Sequence, residues 1–328
     1  MAPTIRPLAP EKDLEALASL YGSCSAKDFQ QRVQGIDPER LAPFLAEGTC
    51  RAADSHPTWV AEERNRLVAI AALQPSHWHS EHTGFPVGKL TQLMTAHGAE
   101  SVASALIETL ESRARDERLQ HLMGRVDAHA FPLQESLAAR GWYPLGTSVK
   151  LVAHLNEDPE QRVTPAPLPM IPLRPMEPRD RERILEIGTQ SHGENHLHFD
   201  PHLPRGTAQA LFGRWVEKCI DGLAAQVWVA GRVGEVVGFA TILEPSAFNR
   251  AMGTRIAVLD YIVVDHTMHG RGRGARLLQA LHRQLKRHFD QIELRTTATN
   301  FPAINLYMGH GYRIVGADQV FGRWLGNP

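Results

Sequence analysis

The run His269-Gly270-Arg271-Gly272-Arg273-Gly274 sets three glycines at alternate positions with arginines between them. Small residues let the backbone approach a ligand. At the start of a helix the free N–H groups point at an anion, with the helix dipole behind them. Such a run suits a phosphate or pyrophosphate, and Arg271 and Arg273 add charge. Downstream stand Asn300, Ala303, Tyr307 and Gly311-Tyr312. Tyr307 carries a proton that chemistry could use, and Asn300 could hydrogen-bond a ligand or cap a helix.

The elements that position these residues are legible. Residues 256–264, Ile-Ala-Val-Leu-Asp-Tyr-Ile-Val-Val, read as a buried strand. Leu277, Leu278, Leu281, Leu285 and Phe289 recur at helical spacing after the glycines, which places the run at a strand-to-helix turn. A second strand over 291–297 precedes Asn300. Asp260 lies four residues before Val264, so strict alternation would put both side chains on one face, and the carboxylate is a candidate base.

Three kinds of phosphate site can be weighed. A nucleoside-triphosphate loop needs Gly-x-x-x-x-Gly-Lys-Ser/Thr, which neither 270–274 nor Gly88-Lys89 provides. A dinucleotide site needs Gly-x-Gly-x-x-Gly with an acidic residue about 20 positions on, whereas position 294 is Leu. The third pattern is that of the GNAT superfamily of acyl-CoA-dependent N-acyltransferases, which this stretch strongly resembles. Its loop, Gln/Arg-x-x-Gly-x-Gly/Ala, is matched by His269-x-x-Gly272-x-Gly274, with His in place of Gln/Arg. Its next motif, Asn-x-x-Ala-x-x-x-Tyr-x-x-x-Gly-Phe/Tyr, is matched throughout by Asn300, Ala303, Tyr307, Gly311 and Tyr312.

The resemblance implies acetyl-CoA as cofactor, with CoA as product. The backbone of Ile262, Val263 and Val264 would take the pantetheine arm and polarise the thioester carbonyl. His269, Gly270, Arg271, Gly272, Arg273, Gly274 and Ala275 would hold the pyrophosphate, with Asn300 and Ala303 against the arm. Tyr307 would be the general acid for a thiolate of intrinsic pKa about 8.5. The loop 191–202 is rich in His and acidic residues, which invites a metal reading. It lies, however, where this family builds its acceptor pocket. His192, Glu194, His198 and, on the next helix, Trp215 are therefore read as acceptor contacts, with no metal. His77, His79 and His82 read as loop residues. From 191 to 222 the chain is also similar to dTDP-fucosamine acetyltransferases.

Composition narrows the classes. The chain has 328 residues, 43% hydrophobic and 22% charged, with a formal net charge of -1. That is the profile of a globular protein of two domains without the basic field that nucleic acid requires. Cys24, Cys50 and Cys219 are scattered, so neither a disulfide framework nor a zinc site is expected. No apolar stretch reaches the length of a signal peptide or membrane span, and a cytoplasmic setting is expected.

The pattern occurs twice. Ile5-Arg6-Pro7-Leu8 is echoed by Ile171-Pro172-Leu173-Arg174-Pro175, Trp59-Val60-Ala61 by Trp228-Val229-Ala230, and Gly141-Trp142 by Gly311-Tyr312, each about 170 residues on. The expected fold class is α/β (α+β): two tandem GNAT folds, each a mixed, mostly antiparallel sheet with a splayed parallel strand pair. Residues 1–155 form a degenerate copy, with Ala130 and Leu137 at the Asn300 and Tyr307 positions. Residues 156–170 read as a proline-rich linker and 171–328 as the catalytic copy. Three roles are left to the first copy: supporting the second, shaping the substrate cleft, or forming a homodimer. The expected activity is acetyl transfer to the primary amine of a small molecule, such as a nucleotide-linked amino sugar. A non-catalytic acyl-CoA binder and a longer-acyl transferase are the alternatives.

Overall fold

Each half of the chain begins with an arginine that grips an aspartate at the start of its first helix. The computed structural model describes residues 3–24, 36–156, 171–190, 195–268 and 272–326. In it, Arg6 of β1 (Thr4–Pro7) donates to both carboxylate oxygens of Asp13, in α1 (Pro10–Ser23), at 2.7 and 2.8 Å. Arg174 of β7 (Leu173–Pro175) does the same to Asp180, just before α6 (Arg181–Gln190), at 2.6 and 2.8 Å. In both places the aspartate also accepts the backbone N–H at the helix start, from Ala9 and from Glu177, each at 2.8 Å. The repeat seen in the sequence is thus repeated as a bidentate ion pair that ties strand to helix.

The first repeat continues with α2 (Pro38–Ala52), β2 (Thr58–Glu63), β3 (Arg66–Pro75), α3 (His77–Thr83), β4 (Val87–Thr95), α4 (Ala103–Asp116), β5 (His121–Asp127), α5 (Phe131–Ala139) and β6 (Tyr143–His154). The β2–β3 hairpin turns at Arg64 and Asn65, both at positive φ, as a tight two-residue turn requires. Residues 77–83, expected to be loop, form the short helix α3. His79 Nδ1 bonds the Ser76 hydroxyl, and His82 Nδ1 donates to the Trp78 carbonyl, so both imidazoles are used to hold that turn. The second repeat continues with α7 (Thr207–Lys218), β8 (Gln226–Ala230), β9 (Gly238–Leu243), α8 (Ser246–Met252), β10 (Ile256–Val264), α9 (Arg273–Leu285), β11 (Gln291–Thr297), α10 (Phe301–Gly309) and β12 (Arg313–Trp324).

Two compact units result, and they are interleaved in sequence. One comprises Met1–Ser148, Phe199–Pro204 and Gly316–Pro328, the other Val149–His198 and Arg205–Val315. The first holds strands in the order β1-β2-β3-β4-β5-β12, the second β7-β8-β9-β10-β11 followed by residues 149–154 of β6. Residues 149–154 lie within the copy expected over 1–155. At 12 residues, β6 runs long enough for its second half to count with the other unit. The proline-rich segment, apart from Asn156, lies outside the described residues.

In the first unit, α4 buries Leu106, Ile107 and Leu110 against Leu73, Leu90 and Leu122. In the second, α6 and α7 bury Ile184, Ile187 and Val216 on one sheet face with Phe239. Leu277, Leu278 and Leu281 of α9 are fully buried, as their spacing requires. No described helix is long and apolar enough to cross a membrane.

Asp180 is 1% exposed, and pairing with Arg174 holds its carboxyl below the ordinary range. Its contribution is therefore present above the unfolded-state pKa and lost as pH falls through the lower, folded value. Arg174→Met is expected to destabilise the protein by about 3 kcal/mol at neutral pH. In denaturant titrations the difference should fade below about pH 4.

Candidate active site

Parallel pairing between β10 and β11 runs from Ile256↔Gln291 to Leu259↔Leu294. Beyond it β10 continues to Val264 and β11 to Thr297 with no shared register, so the pair opens. The other edge of β10 stays antiparallel to β9 as far as Val264↔Gly238. Gly238 permits that contact, because a Cβ there would meet the Val263 carbonyl oxygen at 2.6 Å. The backbone of Ile262, Val263 and Val264 is thus held from one side and borders the opening on the other.

After β10 the chain turns sharply. Asp265 is 3% exposed and accepts from the N–H and hydroxyl of Thr267 at 2.9 and 2.8 Å, and from the guanidinium of Arg183. This fixes the departure toward the glycine run, of which His269, Gly270 and Arg271 lie outside the described residues. Gly272 caps α9 in the left-handed conformation, φ 66°, and no side chain caps the helix start. A Cβ at Gly274 would meet only Leu306, at 3.6 Å. Gly272, Arg273, Gly274 and Ala275 therefore present uncapped amides at a helix N-terminus, which suits a pyrophosphate.

Tyr307 on α10 is 7% exposed, and its hydroxyl bonds no described residue. Burial pushes its pKa up to about 12. Its ring packs on Tyr312 at 5.4 Å between centroids. The Tyr312 hydroxyl bonds Nε2 of His282 on α9 at 2.9 Å, and burial holds that imidazole neutral, its pKa lowered to about 4. His282 carried no signal beyond its place on α9. Asn300 acts as a cap: its Oδ1 accepts from the Ala303 N–H at 3.3 Å, and its Nδ2 donates to Thr296 Oγ1 at 3.2 Å. Ala303 sits in the first turn of α10, as the motif spacing implied.

Asp260 requires a correction. The β10–β9 register shifts between Leu259 and Tyr261, so Asp260 is the extra residue of a β-bulge. Ile262 and Val264 pack with Leu277 of α9, whereas Tyr261 and Val263 pack with the α6 and α7 residues Ile184, Ile187 and Val216. Asp260 accepts from the Trp215 indole N–H of α7 at 2.7 Å, so it lies on the α6–α7 face. Simple alternation had put Asp260 and Val264 on one face; the bulge puts them on opposite faces. Asp260 Oδ2 also receives the Cys219 thiol and the Thr241 hydroxyl, each at 3.4 Å, and burial raises its pKa. Cys219 and Thr241 were missed as neighbours. The signal available was the four-residue spacing of Trp215 and Cys219 on a helix.

Trp215, expected to contact substrate, thus has its N–H committed to Asp260. His198 is exposed, with Nδ1 3.1 Å from Asn195 Oδ1 and its ring stacked with Phe212 at 6.1 Å. His192 and Glu194 lie outside the described residues. Among the described residues no group of three His, Cys, Asp or Glu side chains could hold a metal.

The first unit keeps the scaffold of this site. β4 and β5 pair in parallel only from Val87↔His121 to Leu90↔Gly124, and a register shift in β4 falls between the partners of Ala72 and Leu73. The reacting groups differ. Leu137 is fully buried in the core, Ala130 gives α5 no side-chain cap, and Glu100 Oε1 accepts the Gly98 N–H at 3.2 Å beside the start of α4.

Residues 193–312, which carry the opened pair, the glycine-capped helix and Tyr307, match the Acetyltransferase (GNAT) family. The second copy thus resembles the GNAT acetyltransferases over the stretch that carries its opened strand pair. Over 159 residues the chain is 28% identical to the spore coat polysaccharide biosynthesis protein SpsD of Bacillus subtilis (strain 168), a match covering 48% of this chain and 52% of that protein's length. Solved structures share the fold. A tandem GNAT protein from the clavulanic acid biosynthesis pathway aligns over 100% of both chains, with a TM-score of 0.60 and 16% identity. A GCN5-related N-acetyltransferase from Sphaerobacter thermophilus aligns over 99% of this chain and 96% of its own, with a TM-score of 0.65 and 15% identity. The fold is therefore a tandem GNAT fold.

Gly272→Ala forces a side chain into the left-handed region and should destabilise by about 1 kcal/mol. Gly274→Ala, in the first turn of a helix and with an ordinary contact distance, should be neutral or slightly stabilising. Thermal melting of the two variants checks the contrast.

Proposed function

We propose that the second copy transfers the acetyl group of acetyl-CoA to the primary amine of a small molecule, and that an amino sugar is the acceptor class. The reading is supported by two proton-handling groups carried on elements that flank the parted strands. Tyr307 belongs to the α9–α10 side of the sheet and Asp260 to the α6–α7 side, with the backbone of Ile262, Val263 and Val264 along the edge between. The bound cofactor supplies an acyl group activated as a thioester.

In this reading Asp260 takes the proton that the amine loses as its nitrogen bonds the carbonyl carbon. A β10 backbone N–H faces the carbonyl oxygen as negative charge develops there. Tyr307 gives its proton to sulfur as the carbon–sulfur bond breaks. One proton leaves the amine and one reaches the thiol, so the products are an amide and CoA. Gly272, Arg273, Gly274 and Ala275 hold the pyrophosphate at the start of α9. A pKa of about 12 keeps Tyr307 protonated through the working pH range, as an acid requires.

The amino-sugar acceptor draws support from the polysaccharide-biosynthesis relative. A glucosamine N-acetyltransferase region of a fungal multi-domain β-N-acetylglucosaminidase also shares the fold, with a TM-score of 0.65 over 98% of this chain and 38% of that one. The first copy is read as non-catalytic, because Leu137 stands where the acid would be and Glu100 engages the amide beside the helix start.

Calorimetric titration with acetyl-CoA should give one site per chain, lost in Gly272→Glu. Two sites would overturn the assignment of the first copy. Tyr307→Phe should lower kcat/KM about 100-fold in a thiol-release assay with glucosamine, leaving acetyl-CoA affinity unchanged. A variant as active as wild type would remove Tyr307 from the mechanism.

A further inference from the structure

Asp260 is held by more groups than a proton acceptor needs, and the arrangement of those groups is specific. Two departures from regular backbone converge on it. The β-bulge between Leu259 and Tyr261 turns the carboxylate toward α7. A π-type turn over Cys219–Leu223 extends α7, with Gly222 at φ 116° to permit it. Trp215 and Cys219, four residues apart on helical backbone, reach the same oxygen from successive turns, and the π-type turn begins at Cys219. Each irregularity weakens a backbone ladder and is retained where a side chain must be re-aimed.

All the donors choose Oδ2: the Trp215 indole N–H at 2.7 Å, and the Cys219 thiol and Thr241 hydroxyl at 3.4 Å each. Oδ1 bonds no described residue, and Asp260 keeps an intermediate exposure. A carboxylate serving only as an internal anchor would have both oxygens satisfied, because an unpaired buried acceptor costs free energy. Here one oxygen is saturated and the other is left open.

We propose that Trp215, assisted by Cys219 and Thr241, is a positioning residue that keeps Asp260 ionised and turns its open oxygen, Oδ1, to the acceptor amine. This rests on the reading of Asp260 as the base. It also replaces the expected role of Trp215 as a direct acceptor contact.

The electrostatic surroundings leave the donors as the main influence. Among the described residues no cation pairs with Asp260. From α7 it faces Trp215 and Cys219, and burial pushes the thiol pKa up to about 12, so the sulfur stays uncharged. From β9 it faces Thr241. The neighbouring Tyr261 donates its hydroxyl to the Gly188 carbonyl of α6 at 3.3 Å. Lys218 stands 5.9 Å from the Trp215 ring centre, and Glu293 of β11 lies 3.7 Å from Lys150. Burial favours the neutral acid, and the three neutral donors oppose it.

The test replaces Trp215 with Phe, which keeps a ring and removes the N–H. The side-chain carboxyl of Asp260 is followed by carbon-13 NMR across pH in the full-length protein, its resonance assigned by its loss in Asp260→Asn. The Asp260 midpoint should rise by about one pH unit in Trp215→Phe and by less in Thr241→Val. The acid limb of kcat/KM for acetyl transfer to glucosamine should move with it. An unchanged midpoint in a Trp215→Phe protein that melts like wild type overturns the proposal. A purely structural role would lower kcat/KM equally at all pH values and leave the limb in place, which also overturns it. If the midpoint shifts while Asp260→Asn transfers acetyl as fast as wild type, the base reading fails instead, and that result is distinct from a failure of the donor set.

Discussion

The separation of β10 from β11 after Leu259↔Leu294 is the constraint on which the second unit depends. A sheet normally closes every backbone group against a neighbour. Here a parallel pair is held together at its start, by four residues in register and by α9 packed over Leu277, Leu278 and Leu281, and is then allowed to part. The intact β9 edge makes this tolerable, because it keeps β10 extended as far as Val264. The result is a strand pair that parts just before the loop leading to α9.

Two local devices convert that opening into a site with two faces. The bulge at Asp260 changes the alternation of β10, so the carboxylate leaves the face that Ile262 and Val264 share with α9. Gly272 in the left-handed region ends the loop and starts α9 with its amides uncapped. Neither device needs a change in overall fold, and each depends on one residue. The first unit supports this view. It has the parallel pair, the early parting and the register shift in β4, with Leu137 buried in its core and Glu100 bonded to the Gly98 amide.

The polar groups around Tyr307 and Asp260 follow different logic. Behind Tyr307 stand a second phenol and an imidazole kept neutral by burial. Around Asp260 stand neutral donors, which favour the carboxylate against the burial that opposes it. Desolvation thus acts on both groups and hydrogen bonds oppose it at Asp260, with no ion pair on either among the described residues.

Much of this was legible in the chain. The apolar run at 256–264, the leucines of α9 and the spacing from Asn300 to Tyr312 depend on local sequence, and local sequence decides strands, helices and their caps. The twofold repeat was legible for the same reason, since Arg6 and Arg174 each lie close to the aspartate they bind. The face on which Asp260 lies was not legible. A single extra residue in one strand inverts every side chain beyond it, and only pairing with β9 reveals the insertion. The partners of Asp260 come from α7 and β9, far along the chain. The division of β6 and β12 between units was hidden too, because pairing partners across a sheet are chosen by the packing of the whole sheet. Sequence by itself determined which residues could react and which elements carry them; tertiary structure decided which way they face and what holds them there.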